Sequence, residues 1–283
     1  MTIEPMGEAM ATATATAGQV SGSAAEIYDE FFVPALFGQW AEPLCDAADL
    51  GANSQVLDVA CGTGATTRVV ANRIRSGGRV VGLDRNVGML AVARSYAGDI
   101  EWIEGLAEDL PFAANTFDIV LCQFGLMFFD DRTRALAEMR CVVRPGGRIA
   151  LTVWADVAAS PGYADMIRLV EAMFGNDAAD ALRAPFVLGR KPLLKELLDE
   201  GGLTGAAINT VSGVARFASI REWVRMDVRG WTMSEFIDDA GFEALIAEAE
   251  TRLGHFSAAD GSIAFPAPAL SPRTKTPPIR DTS

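Results

Sequence analysis

Between residues 51 and 156 the chain alternates short apolar runs with segments whose apolar residues recur at helical spacing. "SQVLDVA" reads as a buried strand and "GATTRVVANRIR" as a helix ended near Gly77-Gly78. "RVVGLD" is the next strand and "NVGMLAVARSYA" the next helix. "IEWIEG" is a short strand before "LAEDLPF", and "FDIVLCQFG" is a strand rich in β-formers. In "DRTRALAEMRCVV", Leu136, Met139 and Val143 share one helix face; "RPGG" then turns the chain into the strand "RIALTVW". Five strands alternating with helices predict a doubly wound, parallel α/β sheet. Ligands of such sheets sit at the carboxyl ends of the strands. Any chemistry is therefore expected at 58–64, 84–89, 105–109, 122–128 and 154–157.

The flanks read differently. Residues 1–22 hold "ATATATAGQVSGS", a small-residue run expected to be a disordered tail. Residues 23–50 begin with the aromatic "SAAEIYDEFFVPALFGQW" and form an N-terminal helical cap before the 51–156 core. In 157–270, helical stretches at about 157–200 and 219–257 are expected insertions around the remaining strands. "GAAINTVSGVARF" is the expected sixth strand and "GSIAFPAPAL" the last. The Pro-rich 271–283 reads as a second disordered tail.

Charge and composition narrow the function. Lys and Arg number 24 against 37 Asp and Glu, a formal net charge of −13, which argues against a nucleic-acid partner. No apolar run is long enough to span a membrane, and no secretory signal is visible. The four cysteines, Cys45, Cys61, Cys122 and Cys141, have no paired spacing and read as reduced thiols of a cytoplasmic protein without a metal site.

"VLDVACGTGATTRVV" carries the candidate chemistry. Ala60, Gly62 and Gly64 leave room for a ligand against the backbone, and the following helix start offers free N–H groups. A dinucleotide fingerprint would place glycine at 67, where the chain has Thr67; a nicotinamide oxidoreductase is disfavoured. Asp58 beside the turn suits an ammonium group and disfavours a pyrophosphate. Asp84, at the end of the second strand, can accept both hydroxyls of a ribose. Ammonium and ribose in one ligand point to S-adenosylmethionine.

With "VLDVACGTG", "GLDRNVGML", "LAEDLPF", "NTFDIVLCQFGLMFF" and "VVRPGGRIALTVW" in order, the chain resembles the class I S-adenosylmethionine-dependent methyltransferases. Its nearest branch is the ubiquinone/menaquinone C-methyltransferase-like (methyltransferase type 11) group, with the likeness covering about 25–155. The resemblance implies a Rossmann-like, seven-stranded sheet whose last strand runs antiparallel between the fifth and sixth, with a helical lid. It also implies an N-terminal segment folded over the cofactor.

Carried over by position, Asp58, Ala60, Cys61, Gly62 and Gly64 would hold the methionine part. Asp84 would hold the ribose, with Arg85 beside it in the cofactor site and Met89 packed on adenine. Leu106, Ala107 and Glu108 would line the adenine edge, and Gln123 and Phe124 would pass near the reacting methyl. One departure is Leu106, where the family often has an acid for the adenine amino group; Glu108, Asp109 or the backbone would substitute.

Tyr28, Phe32, Met127, Trp154 and Arg225 are candidates for the acceptor site, each with core packing or a solvated face as the alternative. Arg221, Arg225 and Arg229, spaced by four, form either a solvated stripe or an anion clamp. The general base is open: Asp156, Glu171 and His255, the single histidine, are the candidates. The resulting expectation is methyl transfer to carbon or oxygen of a small, apolar metabolite such as a quinone, polyketide or terpenoid. A small-amine N-methyltransferase and a catalytically silent cofactor-binding module are the alternatives. The sequence leaves a homodimer open.

Overall fold

A computed structural model describes residues 22–74, 77–97, 100–229, 233 and 236–276. The tail 1–21 and the end 277–283 lie outside the described residues, so the expectation of disorder there has no structural counterpart.

The chain enters through helix α1 (Gly22–Ile27), a wide-turned π-type helix over Tyr28–Phe37, a 3-10 turn over Gly38–Trp40 and α2 (Ala41–Ala47). Pro34 has no N–H to give to a regular α-helical ladder, and it sits inside the widened stretch. Five strands and three helices then alternate as expected. They are β1 (Gln55–Val59), α3 (Ala65–Arg73), β2 (Arg79–Asp84), α4 (Val87–Tyr96), β3 (Glu101–Glu104), β4 (Phe117–Gln123), α5 (Arg132–Val142) and β5 (Val143–Trp154). After them come α6 (Pro161–Phe174), α7 (Asn176–Arg183), α8 (Lys191–Glu200), β6 (Ala207–Val211), β7 (Val214–Phe217), α9 (Ile220–Arg229), α10 (Asp239–Arg252), β8 (Ile263–Pro266) and β9 (Ala269–Lys275).

The main sheet has seven strands in the order β3-β2-β1-β4-β5-β9-β6. β1 to β5 pair in parallel, and β9 inserts antiparallel between β5 and β6. Strand alternation divides the core between the two faces. Val56, Val80, Ile119 and Leu121 pack with Leu44, Cys45 and Val70 of α2 and α3. Leu57, Val81, Val120, Leu151 and Val153 point into the larger cluster with α5 and the C-terminal helices.

The topology agrees with expectation, but the last strands lie elsewhere than assigned. The inserted strand is Ala269–Lys275, so 271–275 belong to the sheet and not to a tail. "SIAFP" instead forms β8, which pairs with β7 in a separate two-stranded sheet. The expected single strand over 205–217 is thereby divided: 207–211 joins the main sheet and 214–217 leaves it.

Pro272 explains why β9 was hidden. It faces Ile208 across one ladder, while the pairing with β5 skips from Ala150–Arg273 to Val153–Leu270. A residue without an N–H interrupts a central ladder where it sits.

The β7–β8 pair carries its own aromatic cluster above the sheet's carboxyl end. Trp223 of α9 is fully buried there, its ring centroid 4.7 Å from Phe265 and 5.5 Å from Phe217. Tyr163 of α6 meets Phe265 edge-on at 5.5 Å. α8, within the stretch expected to be an insertion, packs instead on α5 beside the main sheet.

Candidate active site

The carboxyl ends of β1, β2 and β4 converge beneath the N-terminal segment. Ala60 and Phe124, each just past a strand, hold left-handed backbone with φ of 57° and 54°. Such strain in non-glycine residues concentrates where surrounding structure fixes a functional loop.

The two glycines of the turn have different jobs. At Gly62, φ is +56° and an added methyl would meet only a Tyr28 ring carbon at 4.0 Å, so its exposed side faces open space. At Gly64, φ is +81° and the same methyl would lie 2.4 Å from Trp102. Gly64 therefore serves close packing on β3, and Gly62 is the position that admits a ligand to the backbone.

Asp84 ties the turn to the end of β2. Its Oδ2 accepts from the Gly62 N–H at 2.8 Å, and its Oδ1 from the Asn86 N–H at 2.8 Å. Each carboxylate oxygen has a second lone pair to offer. Burial raises this carboxyl above its ordinary value, and the Asn86 and Gly62 N–H groups oppose the rise.

Asp58 is buried below the turn. Its Oδ2 accepts from the Thr67 hydroxyl at 2.6 Å, while Oδ1 is buried without a hydrogen-bond partner. Burial pushes this acid up to about 7, against the Thr67 hydrogen bond. Thr67, the residue that breaks the dinucleotide fingerprint, is thus the carboxylate's partner.

One cleft is lined by Tyr28, Phe37, Asp58, Ala60, Cys61, Gly62, Thr63, Ala65, Thr66 and Gln123. It joins five expected residues of the cofactor set with Tyr28, which had been assigned to the acceptor. Thr63 falls within the expected 58–64 stretch, whereas Ala65 and Thr66 lie beyond it; their place at the helix start was the available signal. Gln123 Nε2 donates to the Phe37 carbonyl at 3.2 Å, fastening the N-terminal segment over β4. Burial, then Asp84 and Asp29, raises the Tyr28 hydroxyl.

The adenine-side positions are more dispersed. Met89 is buried at the start of α4, whose cap is Asn86. Arg85 reaches Asp130 at 3.4 Å. Leu106 is 47 % exposed, whereas Ala107 is buried in the core. Glu108 Oε1 accepts from the Asp130 and Asp131 N–H groups at 2.9 and 3.4 Å, so one of its oxygens is already engaged.

Next to this cleft is a small apolar cavity lined by Phe32, Leu36, Phe37, Trp154, Tyr163, Leu182, Pro185, Phe186 and Asp227. Phe37 borders both spaces. Phe124 stacks on Trp154 with centroids 4.1 Å apart at 23°. Of the acceptor candidates, Phe32 and Trp154 line this cavity.

Met127 is buried in the core and lines neither space. Arg225 lies over the Phe31 ring at 4.7 Å, also outside both linings. Its stripe-mates are engaged, Arg221 with Glu243 and Arg229 with Asp239. Arg221 is exposed and Arg225 and Arg229 are half-buried, and none of the three lines the cavity.

The three base candidates are also elsewhere. Glu171 pairs with Arg183, Asp156 caps Ala158, and exposed His255 contacts the Arg252 carbonyl and faces Asp165 at 3.6 Å. The acid in the cavity is Asp227, which the sequence reading missed. It is 4 % exposed, and its Oδ2 has no hydrogen-bond partner. Burial pushes it up to about 8, with the Trp223 indole N–H offsetting part of the rise. The signal was its position four residues after Trp223, on the packing face of α9.

The sheet order and the glycine turn beneath Asp84 are those of the class I methyltransferase fold. Residues 57–151, from β1 into β5, match the family described as "Methyltransferase domain". The chain is 40% identical over 116 residues to the ubiquinone/menaquinone biosynthesis C-methyltransferase UbiE of Hahella chejuensis, covering 39% of this chain and 47% of that protein. It is 38% identical over 133 residues to a 2-phytyl-1,4-naphtoquinone methyltransferase of Thermosynechococcus vestitus, covering 45% and 59%. The chain thus spans about half the length of the curated relatives it matches.

Among solved structures, YcgJ of Bacillus subtilis aligns with a TM-score of 0.58 at 17% identity, over 84% of this chain and 98% of that one. A Haemonchus contortus phosphoethanolamine N-methyltransferase 2, solved with phosphomonomethylethanolamine and S-adenosylhomocysteine, aligns at 0.60 and 15% identity over 93% and 59%. At such identities the likeness is one of fold. Among the described residues no helix is long and apolar enough to cross a membrane.

Proposed function

We propose that the protein transfers the methyl group of S-adenosylmethionine to carbon or oxygen of a small, apolar, aromatic-ring metabolite of the quinone type. The observation that carries this reading is the adjacency of the two spaces at Phe37. One is polar, lined by the buried Asp58 and by the Gly62 turn that Asp84 holds, and the other is aromatic. When bound, the cofactor supplies a methyl already activated on a sulfonium.

The residues present fit it. Asp58 Oδ1 lacks a partner and suits the methionine ammonium. Asp84 keeps free lone pairs at the strand end for ribose hydroxyls, and Gly62 leaves room for backbone approach. Met89 is the adenine-side packing residue, and the Gly105–Asp109 backbone is left to hold the adenine edge. The segments 28–40, 157–186, 214–229 and 239–266 act as a lid. The acceptor cavity encloses about 40 Å³, so an acceptor enters when these segments part. Once they close, water is excluded and donor and acceptor are aligned.

The relatives are by name methyltransferases of ubiquinone/menaquinone biosynthesis and of 2-phytyl-1,4-naphtoquinone, and the aromatic lining favours a ring acceptor over a polar amine. We place the protein in the cytoplasm, with a small-molecule acceptor and no nucleic-acid partner, as its net charge of −13 favours. The test is to incubate the protein with S-adenosylmethionine carrying a labelled methyl and a panel of naphthoquinols, phenols and amines. Label is expected in the ring compounds, with S-adenosylhomocysteine released in equal amount. Transfer to none of them, or to amines alone, contradicts the reading.

A further inference from the structure

Asp227 is a carboxyl side chain in a cavity otherwise built from rings and aliphatic groups. Phe32 and Phe37 reach it from the N-terminal segment, Trp154 from the end of β5, and Tyr163 and Phe186 from the helical cover. Nothing in the fold uses its Oδ2, which is buried and unpartnered. A buried polar atom without a partner is costly to keep, and a ligand group that completes it recovers that cost.

We infer that Asp227 receives the hydroxyl of an aromatic acceptor, a phenol or hydroquinone, and takes its proton as the methyl is transferred. This rests on the function proposed above and names the acceptor's chemistry.

The burial that pushes Asp227 to about 8 makes it a stronger base than an ordinary carboxylate. The titratable group facing it is the Tyr163 hydroxyl of α6; the rest of the lining from the N-terminal segment, β5 and residues 182–186 is apolar. An amine fits less well. An ammonium held by a carboxylate has no lone pair with which to attack, and an amine arriving neutral needs no carboxylate. A phenol arrives neutral and becomes a good nucleophile when its proton is removed.

The step balances. The acceptor O–H bond breaks, and its proton goes to the Asp227 carboxylate. The electron pair released into the oxygen and ring forms the new bond from oxygen, or from an ortho carbon, to the methyl. The S–CH3 bond breaks and its pair stays on sulfur as the neutral thioether. After oxygen attack, Asp227 gives its proton to water. After carbon attack, the ring C–H proton goes to water while Asp227 returns its proton to the oxygen. Either route releases one proton per methyl.

The experiment compares 1-naphthol with 1-methoxynaphthalene, which keeps the ring and lacks the donor. Binding of each is measured by calorimetry on the full chain, with and without S-adenosylhomocysteine, for the wild type, Asp227→Leu and Asp227→Asn. The wild type is expected to prefer 1-naphthol at least tenfold, and Asp227→Leu to lose that preference while binding 1-methoxynaphthalene as before. Melting temperatures of both variants are expected close to wild type, because the Trp223 indole N–H is the one structural neighbour that the carboxyl gives up. With S-adenosylmethionine and 1-naphthol, turnover by the wild type should rise with pH to a plateau above about 8; Asp227→Asn should lack that limb.

Four results overturn the inference: a preference that survives in Asp227→Leu, a marked fall in melting temperature, a wild type without the pH limb, or tighter binding of 1-naphthylmethylammonium than of 1-naphthol. Failure of S-adenosylhomocysteine to bind the wild type would instead remove the proposed function, and the naphthol comparison would still report on Asp227.

Discussion

The Tyr96 hydroxyl donates to Asp29 Oδ2 at 2.6 Å and so fastens α4 to the segment that covers the cleft. Arg68 completes the fastening. It faces Asp29 Oδ1 at 3.7 Å, donates to the Thr63 carbonyl at 2.6 Å and lies over the Tyr96 ring at 4.3 Å. The glycine turn, α4 and the N-terminal segment therefore close as one unit. Tyr96→Phe removes the donor and keeps the ring. It should speed S-adenosylhomocysteine release several-fold in stopped flow, with little change in melting temperature. Equal release rates would show that the contact does not hold the segment closed.

The two glycines should separate binding from folding. Gly64→Ala pushes a methyl into Trp102 at a left-handed position and should destabilise the protein by about 1–3 kcal/mol. Gly62→Ala meets open space; its backbone strain should cost about 1 kcal/mol, yet the methyl intrudes on the cleft. Urea unfolding and cofactor titration on both variants check this: Gly64→Ala should fail mainly in the first, Gly62→Ala mainly in the second.

Asp58 should couple cofactor binding to pH. Free, it titrates near 7; an ammonium partner at Oδ1 favours the ionised form. Below about pH 7, binding of S-adenosylhomocysteine should therefore release a proton, and affinity should rise with pH from about 5.5 to 7. Calorimetry at pH 6.5 in buffers of different ionisation enthalpy measures the proton. Asp58→Asn should abolish the release.

The same burial shapes stability. Asp58, Asp84 and Asp227 all have folded-state values above the unfolded value of 3.8. Between about 4 and 8 the native state then holds more protons than the unfolded chain, so stability should fall as pH rises through that window. Denaturant midpoints at pH 5 and pH 8 test the sign. Asp227→Asn should flatten the upper part of the slope.

The sheet was legible because β1, β2, β4 and the end of β5 are buried and so read as continuous apolar runs, with the half-exposed edge strand β3 marked by Trp102 and Ile103. The placement of Asp58, Gly62 and Asp84 at those strand ends was legible, and the structure brings them to one turn. The inserted strand was not legible because Pro272, Arg273 and Lys275 look like a loose end; the strand tolerates Pro272 only by interrupting one ladder. Asp227 was hidden by its neighbours. In a helix studded with Arg221, Arg225 and Arg229, an acid reads as another surface charge, and only the lid's tertiary packing turns it inward. The base candidates Glu171 and His255 lie outside the cavity lining for the converse reason, since distance along the chain does not reveal which helix face meets the cavity.

The central claim is that the cleft between Asp58 and Asp84 holds S-adenosylmethionine, and titration calorimetry with S-adenosylhomocysteine tests it most directly. One molecule should bind per chain. Asp84→Ala, which deprives buried hydroxyls of their acceptor, should weaken binding by about 1–3 kcal/mol, roughly five- to a hundredfold. No heat from the wild type, or an unchanged affinity in Asp84→Ala, would contradict the account.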